Sequence, residues 1–134
     1  MSSAPTVPSQ ATRFVHLRCH TEYSLEDGTV RIGALIDKAV ASGMPAVAVT
    51  DWHNLFGLVK FYKKAIARGI KPIAGADLRV SDPDDPERFG VITLLIQNRA
   101  GYLNLCRLIS RSFLEGRFKG HPRLHPAWLR GQTE

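Results

Sequence analysis

Apolar and polar positions alternate along "FVHLRC" (14–19), the period-two signature of a strand. A loop follows through Gly28. From Ile32 the period changes. Ile32, Leu35, Ile36, Ala39 and Val40 recur at the i, i+3, i+4, i+7, i+8 spacing of a one-sided helix. Gly43 supplies a stop, and Pro45 prevents resumption. "AVAVT" (46–50) is apolar throughout, as a strand covered on both faces would be. "DWHN" (51–54) forms the next turn. Leu55, Leu58, Val59, Tyr62 and Ile66 predict the inner stripe of a second helix, closed by Gly69. "KPIAGADLRV" (71–80) is a third strand, "SDPDDPERFG" (81–90) an acidic turn, and "VITLLIQ" (91–97) a fourth strand. Asn98 caps a long helix through Glu115, with Tyr102, Leu105, Cys106, Ile109 and Phe113 on its apolar side. From Gly116 the pattern predicts a loop with at most a short helical start.

Strands alternating with helices predict an α/β fold: about four mostly parallel strands with helices outside. In such folds functional groups gather beyond the carboxyl ends of the strands. His20, Asp51, Trp52 and His53 fall there, and Asp77 falls within strand three.

The chain has 134 residues, 44% of them hydrophobic, which suits one domain with a core. No apolar run approaches the ~20 residues of a membrane span, so no membrane association is expected. Residues 1–13, "MSSAPTVPSQATR", lack the apolar stretch of a secretory signal. They read as a disordered tail on a cytoplasmic protein. Cys19 and Cys106 belong to no CxxC pair and are expected to be reduced thiols. The net charge of +6 is uneven: residues 99–134 hold seven Lys/Arg against two Asp/Glu. That basic third suits an acidic partner, although no aromatic interleaving marks a nucleic-acid surface.

The stretch "HLRCHTEYSLEDG" (16–28) carries the candidate chemistry. Alternation turns His16, Arg18 and His20 to one side and Cys19 to the other, into the core. Two of the three could ligate a metal. Arginine cannot, because it is always protonated and has no lone pair to give. His53 reads as a turn residue or surface contact. His121 and His125 flank prolines in a basic loop without a ligand set, and "DLRVSDPDDPE" lacks the spacing and glycine of a calcium loop.

Three segments together, "FVHLRCHTEYSLEDG", "AVAVTDWHNLFGLVKFYKKAIARGIKPIAGADLRV" and "GYLNLCRLISRSFLEG", resemble the PHP domain at the N-terminal end of bacterial DNA polymerase III alpha subunits. The resemblance runs from Phe14 to the end of the chain. It implies a partial PHP-type distorted (βα) barrel over residues 14–134, cut before the barrel closes. Active members of this family bind metal ions and hydrolyse phosphate esters. Their first H-x-H motif falls here on Arg18 and His20, with His16 beside it. Their Asp-His motif falls on Asp51 and Trp52, displacing His53 by one, and a strand-three Glu falls on Asp77. Two expected ligands are therefore lost, and the resemblance implies a vestigial pocket of His16, Arg18, His20, Asp51, Trp52 and Asp77 with no metal. Arg18 is expected to supply the missing cation by pairing with Asp51 or Asp77.

The implied function is that of a structural and partner-docking segment. The parent would be a DNA-directed DNA polymerase using Mg2+, with its catalytic carboxylates downstream. The implied partners are the proofreading exonuclease subunit, the rest of the polymerase III holoenzyme, and DNA through the parent protein. The competing reading is a metal-dependent phosphoesterase or 3′–5′ exonuclease, against which Arg18 and Trp52 argue.

Overall fold

Helix α1 (Ile32–Ala41) buries Ile32, Ile36 and Ala39, while Leu35 and Val40 pack beside them. The spacing read from the sequence is thus the packed face. Gly43 ends the helix with φ of +70°, the left-handed region glycine enters without strain. The chain turns at Pro45 into β1 (Ala46–Trp52), crosses through α2 (Leu58–Ala67), and returns as β2 (Lys71–Ser81). It then folds directly back as β3 (Phe89–Leu95) before α3 (Arg99–Leu114). Short 3-10 turns lie at Glu22–Ser24 and Pro126–Leu129. This computed structural model describes residues 14–132, so the tail expected at 1–13 lies outside the described residues.

The sheet has the order β1-β2-β3. β1 and β2 are parallel, joined by a crossover helix. β3 is antiparallel to β2 and not a further parallel strand, because the turn between them is too short for a crossover. Alternate residues along β1 and β2 build two clusters under the helices. Val47 and Val49 pack with Ile36, Phe61 and Ala65 under α1 and α2. Ala76 and Leu78 pack with Leu105 and Leu108 of α3 and with Leu124. Leu124 is fully buried, and its backbone bridges β2 at Val80, extending the sheet edge beyond the end of β1.

Three further sequence expectations change. Helix α3 buries Leu105, Leu108 and Ser112, whereas Tyr102 and Phe113 of its expected apolar side are 40 and 39% exposed. "FVHLRC" is extended beside β1 but forms no regular strand. Ala48 and Thr50 donate their N–H groups to the carbonyls of His16 and Cys19. Donors two residues apart meet acceptors three residues apart, so one extra residue bulges out of the ladder. The Thr50 hydroxyl then accepts the N–H of Cys19 in place of a backbone carbonyl.

Helix α2 faces the core with Phe61 and Ala65, whereas Val59, Tyr62 and Ile66 of the expected stripe are 65, 55 and 55% exposed. Two stripes one residue apart both fit a helical period. Contact with Ile32 and Ile36 of α1 selects the one carrying Phe61.

Candidate functional site

The register sets Trp52 beside Asp77 and Asp77 beside Thr93. These three side chains therefore share the sheet face opposite the two clusters. Asp77 is fully buried. Its Oδ2 accepts from Arg18 Nε at 2.6 Å and lies 2.6 Å from His20 Nε2. Its Oδ1 accepts from Thr93 Oγ1 at 2.5 Å. A buried carboxylate is tolerable when it is paired and hydrogen-bonded. Asp77 meets that condition with a cation and a hydroxyl.

His20 links this carboxylate to a second one. Its Nδ1 lies 2.9 Å from Asp27, and Trp52 Nε1 donates to the same Asp27 at 3.0 Å. Burial pushes the Asp27 carboxyl up. The hydrogen bonds from Trp52 and His20 and the charges of His20 and Arg18 outweigh that, and hold it below its ordinary value. Around this core, Arg79 stacks over the Trp52 ring at 4.8 Å and bonds Glu26. Gly28 closes the loop, because a Cβ there would sit 1.8 Å from the carbonyl oxygen of Thr21.

Of the six residues read from the sequence, the structure joins four: Arg18, His20, Trp52 and Asp77. His16 is exposed and packs edge-on to Phe14 at 4.7 Å. Asp51 points to the other sheet face, since it pairs in register with Ala76. There it accepts from Thr21 N at 2.6 Å, Thr21 Oγ1 at 2.8 Å and Ser24 Oγ at 2.7 Å, pinning the 3-10 turn to β1. Arg18 thus pairs with Asp77 and not with Asp51. Cys19, half-buried, has its thiol pushed up by burial and then by the Asp51 charge.

His53 is a buried turn residue rather than a surface one. Its backbone takes φ of 46°, and its Nε2 accepts the N–H of Arg79 at 2.7 Å. Its Nδ1 therefore carries the proton and donates to Ser112 Oγ at 3.2 Å, which donates to the Ile109 carbonyl. Burial, then the nearby Arg79 charge, lowers the ring to about 4, against an opposing pull from Asp77.

Sequence reading missed Asp27, Glu26, Arg79 and Thr93. Asp27 and Glu26 lie in the acidic loop already singled out, but nothing local says where that loop folds. Thr93 joins only through the antiparallel register.

The residues present do not fit a metal centre. Each oxygen of Asp77 and Asp51 already accepts a hydrogen bond, and both His20 nitrogens face carboxylates. Among the described residues no group of three His, Cys, Asp or Glu side chains could hold a metal ion. Nor, among them, is any helix long and apolar enough to cross a membrane.

A DNA polymerase III subunit alpha from Pseudomonas fluorescens is 51% identical over 121 residues, covering 90% of this chain and 10% of that protein. The counterpart from Escherichia coli is 45% identical, covering 87% and 10%. The chain spans about a tenth of the length of these relatives. Among solved structures, an amidohydrolase from Chromobacterium violaceum, with bound sulfate and no metal, superposes with a TM-score of 0.58. It is 24% identical, with 73% of this chain and 32% of that chain covered. A protein described as a metal-dependent phosphoesterase from Bifidobacterium adolescentis also gives 0.58, at 18% identity over 78% and 34%. Both share the fold. The PHP domain model matches residues 16–134, nearly every residue of the sheet, the helices and the pocket, and the chain belongs to the PHP domain family.

Proposed function

We propose that this chain is a metal-free PHP module of a replicative DNA-directed DNA polymerase. It acts as a structural and docking domain and not as a hydrolase. The parent adds deoxynucleotides in the cytoplasm, using Mg2+ held by catalytic carboxylates elsewhere in the polypeptide. The module supports that core and docks the proofreading exonuclease subunit within the holoenzyme, and DNA is bound through the parent. Identities of 45–51% to polymerase III alpha subunits support the parentage.

The observation that carries the loss of hydrolysis is the cap on Asp77. The Arg18 guanidinium occupies Oδ2 at 2.6 Å, and the pocket opening is lined by Arg18, His20 and Asp27. Hydrolysis at paired metals needs open carboxylates and imidazole lone pairs converging on cations. Here a fixed cation already compensates the buried acid, and Trp52 has a ring donor but no acceptor nitrogen.

The test is elemental analysis of purified protein together with a phosphatase and 3′–5′ exonuclease assay, with and without added Mn2+ or Zn2+. We expect no stoichiometric metal and no metal-dependent turnover. Stoichiometric metal, or turnover lost on Asp77→Asn, would replace this reading with the phosphoesterase or exonuclease one.

A further inference from the structure

The pocket face of the sheet continues past Asp77. Strand alternation turns Arg79 the same way, and the pairing of Ser81 with Phe89 adds that ring to the same face. Leu124 is buried in the opposite cluster, so its neighbour Arg123 turns to this face as well. The two arginines alternate with three rings. The Arg79 guanidinium lies 4.8 Å from the centre of Trp52 and 5.9 Å from that of Phe89. The Arg123 guanidinium lies 4.8 Å from Phe89 and 4.5 Å from Phe118. A cation over a ring face is attracted by it. The row begins at the indole that holds Asp27 and ends in the segment after α3.

That segment is a tight hairpin. Phe118 and His121 exchange both backbone hydrogen bonds, at 2.9 and 3.0 Å, around Lys119 and Gly120. Both turn residues have positive φ, 48° and 84°, as a two-residue hairpin loop requires. Lys119 donates to Glu87 at 2.7 Å, and Leu124 donates its N–H to the Arg79 carbonyl at 2.7 Å. Arg123 is 7% exposed. Among the described residues its guanidinium makes one hydrogen bond, to Pro86 O at 2.8 Å, and its buried Nε makes none. A buried cation so poorly hydrogen-bonded is tolerable only while both rings cover it.

The pocket loop meets the same row. Its base is anchored separately by Asp51. Its tip, residues 25–28, reaches the sheet through side chains. Glu26 accepts from Arg79, and its other oxygen lies 3.8 Å from His121 of the hairpin. Asp27 lines the opening over Arg18 and His20. Arg79 is therefore shared: its carbonyl holds the hairpin, and its guanidinium holds the loop tip and covers Trp52.

We propose that the loop tip 25–28 and the hairpin 116–124 open and close as one cooperative unit, with the hairpin as a strap that keeps the tip over the pocket. Local opening of folded proteins proceeds in units of this kind. When the hairpin lifts, Arg123 leaves Phe89, Leu124 leaves Arg79 and His121 leaves Glu26, so the tip loses its support. The inference goes beyond the docking reading and holds whether or not the chain docks a partner.

Hydrogen–deuterium exchange read by mass spectrometry on the full-length protein tests it, in peptides covering 22–30 and 116–124. Arg123→Met keeps the apolar stem and removes the guanidinium. It should speed exchange in the hairpin and at the loop tip together, by about tenfold. Glu26→Gln should speed the hairpin in return, since coupling is reciprocal. Arg111→Met removes a different stack, on Trp128 at 4.1 Å, and should leave the tip at the wild-type rate. A hairpin that speeds up while the tip does not would overturn the proposal, and so would a tip that responds equally to Arg111→Met. Phe118→Leu removes one ring face alone and should give the same paired response if Arg123→Met loses protection throughout β1 and β2. Loss throughout those strands in both variants would also overturn it, because the cooperative unit would then be the whole domain.

Discussion

Acidification should unfold this protein partly through one buried ring. His53 is 2% exposed and holds Arg79 N–H on one nitrogen and the Ser112 hydroxyl on the other. Protonating it removes the acceptor that β2 uses and places a cation beside Arg79. Its folded value of about 4 lies below the ordinary 6.5. The unfolded chain therefore binds this proton first as pH falls, and stability must fall with it. The contribution is complete above about 6.5 and is lost progressively down to about 4. The full shift corresponds to ~3 kcal/mol, and roughly 2 kcal/mol of it is gone by pH 5. Urea unfolding of the chain at pH 7.5 and pH 5, beside the His53→Asn variant, isolates this share from other titrating groups. Asn is chosen because it tolerates the left-handed backbone at this position. Wild type should lose about 2 kcal/mol more than the variant over that interval. Equal losses in the two proteins would refute the buried neutral ring and the relay to Ser112.

Arg18→Ala should destabilise by ~1–3 kcal/mol in denaturant titration, and not by more, because Asp77 keeps His20 and Thr93. Adding Asp77→Asn to it should recover part of that loss, and a simple sum of the two effects would refute the pairing. Gly28→Ala should be among the most damaging loop changes, since its Cβ would lie 1.8 Å from Thr21 O; thermal melting should show a large drop. Leu124→Ala should cost ~2–5 kcal/mol by urea unfolding, although the residue sits outside every named strand. Cys19, with its thiol pushed up by burial and Asp51, should be alkylated by iodoacetamide at pH 8 more slowly than an unstructured model thiol; mass mapping of the modified peptide checks this.

Helix α1, the position of α3, the two crossover strands and the acidic turn were legible because each rests on local chemistry; the packed face of α3, carrying Leu105, Leu108 and Ser112, was not. Ile32, Ile36 and Ala39 repeat with the helical period, the Asn98 side-chain Oδ1 accepts from Gly101 N, and Gly43 can turn left-handed. The packed face of α2 was not legible. The Phe61 and Val59 stripes have the same period, and only the neighbouring helix distinguishes them. The bulged first segment was also hidden, because alternation is a property of side chains and the missing ladder is a property of backbone spacing.

The same division governs the site. The resemblance to the PHP family implies that Arg18 and Trp52 stand at ligand positions, and the sequence itself says that neither side chain has a lone pair to give a metal. The sequence also placed His20 after the first extended segment and Asp77 within the third strand. Only the tertiary structure decided which acid Arg18 neutralises. Asp51 and Asp77 are equivalent as charges in a string of letters. Parallel register places Asp51 beside Ala76 and Trp52 beside Asp77, and strand alternation then turns the two acids to opposite faces of the sheet.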